Sequence, residues 1–122
     1  MTKAEKYATL NHKYLKEADA LLEKGDYVQA SEKLWGAAAS IVKNLAAKRG
    51  INLKSRPELA KDQLYKFVNT LSAEFKDPEL VKSFGLASFL HQNFYEDWLP
   101  PETVLIYSEA VKQLVEKLEN VV

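Results

Sequence analysis

The chain has 122 residues, 47% hydrophobic and 28% charged, a globular balance and length that point to a single domain over 1–122 and exclude a disordered chain. It has no cysteine, and its two histidines, His12 and His91, lie far apart, so thiol chemistry, cysteine zinc sites and a histidine metal motif are excluded and a reducing compartment is expected. The 17 basic and 17 acidic residues cancel, which argues against a dedicated duplex-DNA binder.

In chain order, the opening Met1-Thr2-Lys3-Ala4-Glu5-Lys6 runs straight into charged helical sequence and lacks the apolar stretch of a signal peptide. The longest nearly apolar run, Leu34 to Val42, is far short of the about 20 residues of a membrane span. A cytoplasmic protein with no membrane association is therefore expected.

A first helix is predicted from about Lys3 to Lys24, with Tyr7, Leu10, Tyr14, Ala18, Leu21 and Leu22 at helical spacing and Gly25 as its stop. Asp26 caps a second helix carrying Tyr27, Ala30, Leu34, Ala37, Ile41, Val42 and Leu45, with Lys48 and Arg49 in its last turn and Gly50 ending it. The single glycine and cap between the two predict a helical hairpin. Pro57 suits the start of a third helix, whose buried face is Leu59, Leu64, Phe67, Val68 and Leu71. Asp77-Pro78-Glu79 starts a fourth, running to about Trp98 before Pro100-Pro101. Pro101-Glu102 starts a fifth, with Val104, Tyr107, Val111, Leu114, Val115 and Leu118 on its stripe. The fold class is all-α, an up-down antiparallel bundle of five helices.

The fourth helix is apolar nearly all round, through Leu80, Val81, Phe84, Leu86, Ala87, Phe89, Leu90, Phe94, Tyr95, Trp98 and Leu99. Such a helix is buried on every side, so it is expected to be central or to give a face to a second subunit, and a homodimer is expected. Gly36 and Gly85 lie mid-helix among small residues, where close approach of facing backbones would offset their poor helix propensity.

Charge is unevenly spread. Residues 43–66 carry seven basic side chains against Glu58 and Asp62, net +5, and residues 74–102 carry six acids against Lys76 and Lys82, net −4. Lys43, Lys48, Arg49, Lys54 and Arg56 form a candidate basic surface for RNA, a nucleotide or an acidic partner protein, although two solvated faces of opposite sign explain the same pattern.

The densest polar and aromatic chemistry is Leu90 to Trp98. On a helix His91 shares a face with Phe84, Ala87, Tyr95 and Trp98. A core histidine held by one hydrogen bond is one reading. The other makes His91 a general acid or base, with Tyr95 and Asn93 orienting it or touching a substrate. Glu96 and Asp97 are adjacent and diverge, a solvated helix end rather than an acid–base pair, and Trp35 and Trp98 read as core or interface anchors. There is no Gly-rich phosphate loop and no serine–histidine–acid set, so no cofactor is expected.

Two stretches resemble a known family. The first is Ala18-x-x-Leu21-Leu22-x-x-Gly25-Asp26-Tyr27-x-x-Ala30-x-x-x-Leu34-Trp35-x-Ala37-Ala38, and the second is Leu90-His91-x-Asn93-Phe94-Tyr95-Glu96. Together they resemble the archaeal PaREP family, small helical proteins grouped with the HEPN superfamily. The first stretch is also similar to a tetratricopeptide hairpin, but Gly25-Asp26-Tyr27 has no second copy further along the chain. The resemblance implies a HEPN-like dimer, and many HEPN proteins are metal-independent ribonucleases of toxin–antitoxin or defence systems. Their motif is an arginine, a polar residue and then a histidine, which His91 would match. No arginine stands in Gly85-Leu86-Ala87-Ser88-Phe89-Leu90, and Lys82 cannot clamp a phosphate bidentately. The expected function is therefore non-catalytic binding of a partner protein, nucleotide or RNA. The alternative is a ribonuclease using His91, with Arg49 or Arg56 supplying the missing cation.

Overall fold

Thr2 opens the first helix with a reciprocal cap. Its side chain accepts the Glu5 N–H, while the Glu5 carboxylate accepts the Thr2 N–H. The structure, a computed structural model, describes residues 1–53 and 57–121, and of 57–60 the backbone alone. Within these it has five helices: α1 Lys3–Glu23, α2 Tyr27–Lys48, α3 Pro57–Phe75, α4 Glu79–Glu96 and α5 Pro101–Glu119. No strand occurs among the described residues, and none of their helices is long and apolar enough to cross a membrane.

The expected punctuation is in place. Gly25 and Gly50 adopt φ of +77° and +71°, the left-handed region that glycine enters without strain, and each follows a helix end. Asp26 accepts the Gln29 N–H at 3.1 Å as the cap of α2. Across the hairpin Asn44 donates to the Ala4 carbonyl, Asn11 donates to that of Ala37 and Lys33 pairs with Glu17. These pairings make α1 and α2 run in opposite directions.

The central helix is α2, not α4. It touches each of the other four helices, whereas α4 touches α2, α3 and α5. The reason lies in side-chain size. Ala37, Ala38, Ala39, Ser40 and Ala46 are all buried, and such short side chains let several neighbours close on one helix. Leu34, Ile41, Val42 and Leu45, also buried, anchor it, each contributing about 1.5–3 kcal/mol of hydrophobic stabilisation. Of the two expected places for α4, the central one is corrected: Phe84, Ala87 and Leu90 are in the core, but Phe89 and Tyr95 are exposed on the single chain.

α4 also ends before the expected Trp98. Asp97 turns left-handed at φ 48°, and the buried Asn93 Oδ1 accepts the N–H groups of both Trp98 and Leu99 at 2.8 Å. That side chain draws the following residues out of helical register. Of the two interior glycines, Gly36 is a site of close approach, but to a ring. A Cβ there would lie 2.9 Å from the Tyr14 side chain. At Gly85 a Cβ would meet nothing nearer than the Tyr65 hydroxyl at 3.9 Å, so no close backbone approach explains it.

Candidate functional site

Glu32 and Trp35, three residues apart on α2, share a face, as do His91 and Tyr95, four apart on α4. Where α2 and α4 meet, these faces interlock. Glu32 Oε1 lies 2.8 Å from His91 Nδ1, and the imidazole stacks on Trp35 with ring centroids 5.1 Å apart. Tyr95 meets the imidazole edge-on at 5.3 Å. A carboxylate only accepts, so Nδ1 carries a proton and donates it to Glu32. Nε2 then becomes the variable position, and it has no partner among the described residues. His91 and Glu32 each keep 30% of the side chain exposed, so the pair is neither sealed in the core nor fully solvated.

His91 and Tyr95 open onto a concavity of about 460 Å³. Lys61 of α3 stands on one wall, and Ser88, Phe89, Gln92 and Glu96 of α4 supply the rest. From Phe89, one of its lining residues, an aromatic cluster continues away from it. Phe89 is 46% exposed and Trp98 51%, their rings edge-on with centroids 6.5 Å apart, and Tyr107 of α5 lies the same distance from Phe89.

Asn93, expected beside His91 as an orienting group, is buried and already bonded. Its Nδ2 donates to Ser31 Oγ at 3.0 Å and its Oδ1 caps the end of α4. Tyr95 does face the site, 71% exposed. Glu32, Lys61 and Gln92 were not singled out in the sequence. Gln92 lies within the Leu90–Trp98 stretch and Lys61 within the basic segment 43–66, whereas nothing in the sequence joined Glu32 to His91.

Of the candidate basic surface, the described residues Lys43, Lys48 and Arg49 do not line the His91 concavity. Arg49 lies 17 positions after Glu32, roughly 25 Å further along a helix axis. It grips Glu74 bidentately at 2.7 and 2.9 Å, and its guanidinium lies 5.9 Å from the Phe67 ring. The bond to Arg49 holds the Glu74 carboxyl below its ordinary value and raises the guanidinium above its own. Lys43 Nζ sits 5.9 Å from the Tyr7 ring, and Lys48 is exposed in the last turn of α2. Lys54 and Arg56 lie outside the described residues. Among the described residues no group of three His, Cys, Asp or Glu side chains could hold a metal ion.

The same arrangement of helices occurs in a protein from Sulfolobus solfataricus known from a crystal structure. It is 28% identical, with a TM-score of 0.75, over 91% of this chain and 94% of that one. No curated protein matches the chain. The sequence pattern of one family runs from residue 6 to residue 115, through the hairpin and the His91 segment alike. The chain therefore belongs to the archaeal PaREP1/PaREP8 family.

Proposed function

We propose that the protein is a non-catalytic, HEPN-like module of the cytoplasm that works as a homodimer and binds a partner on the outer face of α4. The observation that carries this reading is the exposure of three large aromatics: Phe89 and Tyr95, which line the His91 concavity, and Trp98, which packs edge-on against Phe89. Clustered large apolar side chains left in water mark interaction surfaces. Glu96 and Asp97, beside these aromatics, oppose phosphate, which favours a partner protein over RNA or a nucleotide. In this reading the five helices form one domain, an up-down antiparallel bundle, supported by the short connections after α1 and α4. The second copy sits on Leu105 and Ile106 of α5, exposed by 44% and 67%. In this reading the protein, as a HEPN-like module, has a place in a toxin–antitoxin or defence system.

Sedimentation velocity tests the dimer: a dimer for the parent and a monomer for Ile106→Glu are expected, and a monomeric parent sinks it. Absence of catalysis is tested by incubating mixed-sequence RNA with the protein in EDTA. Intact RNA is expected.

One observation favours a second reading, a metal-independent ribonuclease. A carboxylate-held imidazole with a free Nε2 at an open concavity has the geometry of a general acid or base, and Lys61 could face a phosphate there. Cleavage by the parent that the folded His91→Ala variant loses would replace the binding reading with this one.

A further inference from the structure

Trp98 is exposed, yet it is not loose. Its main-chain N–H is held by the buried Asn93 at 2.8 Å, and its ring packs edge-on against Phe89. An aromatic fixed in this way loses little freedom when a ligand covers it. Three carboxylates bracket it in the chain: Glu96 at the end of α4, Asp97 next to it, and Glu102 in the first turn of α5. All three are exposed, and none has an ion-pair partner among the described residues. Elsewhere Glu17, Asp19, Glu74, Asp77 and Glu119 each hold a cationic or histidine side chain.

We propose that this face docks a cationic, partly aliphatic segment of a partner protein, with arginine or lysine over the Trp98 ring and aliphatic side chains against Phe89. The inference rests on the reading of the protein as a binding module and names the chemistry of its partner. An indole face attracts a cation through its quadrupole, and flanking carboxylates strengthen the attraction. Nucleic acid brings the wrong sign. A second copy across a two-fold axis would set like carboxylates against one another, because a two-fold contact pairs the same patch with itself.

The experiment uses the two indole N–H signals of the isotope-labelled protein, Trp98 as the reporter and Trp35 as the internal control. The probes are a short leucine–arginine peptide, the same peptide with glutamate for arginine, and a single-stranded RNA oligonucleotide. The arginine peptide is expected to shift the Trp98 signal saturably and leave that of Trp35 in place. Its affinity should fall roughly tenfold or more in the variant Glu96→Gln/Asp97→Asn/Glu102→Gln. Asparagine suits the left-handed backbone at position 97, so that variant is expected to fold. Trp98→Ala should weaken binding as well, read from backbone amide shifts.

Shifts from the glutamate peptide or RNA, with none from the arginine peptide, overturn the cationic partner and leave the binding module standing. No shift from any probe overturns both. Equal movement of both indoles, or binding unchanged in the triple variant, identifies general charge attraction and overturns the proposal. A Trp98 signal that moves with protein concentration alone gives the face to a second copy.

Discussion

Glu32 and His91 are 59 residues apart in sequence, yet their side chains meet at 2.8 Å where α2 packs on α4. The contact ties the centre of the bundle to the helix with the exposed aromatic surface. Both groups are partly solvated, so the pair is expected to be modest. A double-mutant cycle with Glu32→Gln and His91→Gln, read by urea unfolding, should give a coupling of about 0.5–1 kcal/mol. A coupling near zero would show that the stack on Trp35, not the carboxylate, holds the imidazole.

Asn93→Ala should be much more damaging than its position near a candidate site suggests. The change removes the acceptor of two main-chain N–H groups and the donor to Ser31. Leaving such groups unpaired costs about 1–3 kcal/mol each when buried, and Trp98 and Leu99 are only partly so, so a total loss of about 2–4 kcal/mol is expected in urea unfolding. An unchanged midpoint would mean that water replaces the amide at no cost.

The two interior glycines should respond in opposite directions. Gly85→Ala has room for its methyl and should stabilise by up to about 1 kcal/mol through helix propensity. Gly36→Ala drives a methyl to 2.9 Å from the Tyr14 ring, and overpacking of about 1–3 kcal/mol outweighs the same gain. Thermal melts of both variants decide this, and Tyr14→Leu should relieve the clash in the second.

Acid should weaken the protein partly through Arg49 and Glu74. The folded carboxyl of Glu74 lies below its ordinary value of 4.5, so on acidification it takes up its proton later than in the unfolded chain. The pair's contribution is complete above that ordinary value and is lost as pH falls through the folded one. Glu74→Gln should therefore be less stable than the parent at neutral pH, with the gap closing in acid. A gap that stays constant with pH would show that the ion pair adds nothing beyond packing.

Helix boundaries were legible where local chemistry sets them. Gly25, Asp26, Gly50 and Pro101 act on their immediate neighbours, and each marks the helix end read from it. The stripes of α2, α3 and α5 were equally plain, because Leu34, Val42, Val68, Leu71, Val104 and Val111 recur at the helical period and are all buried. The end of α4 was not legible, since it depends on Asn93 reaching forward to two N–H groups. Nor was the centre of the bundle. Alanine and serine score weakly as hydrophobic residues, but their small volume is what allows α2 the middle. The site was half legible: His91 and Tyr95 stand out by type, whereas Glu32 and Lys61 reach them only through tertiary packing.

The crowding of four helices around α2 also sets how the protein can come apart. No opening can bare every side of the Ala37–Ala46 stretch without pulling several neighbours away at once. Amide protons there are bound to exchange with solvent only when the whole molecule unfolds, making α2 the timekeeper of the protein's lifetime against proteolysis.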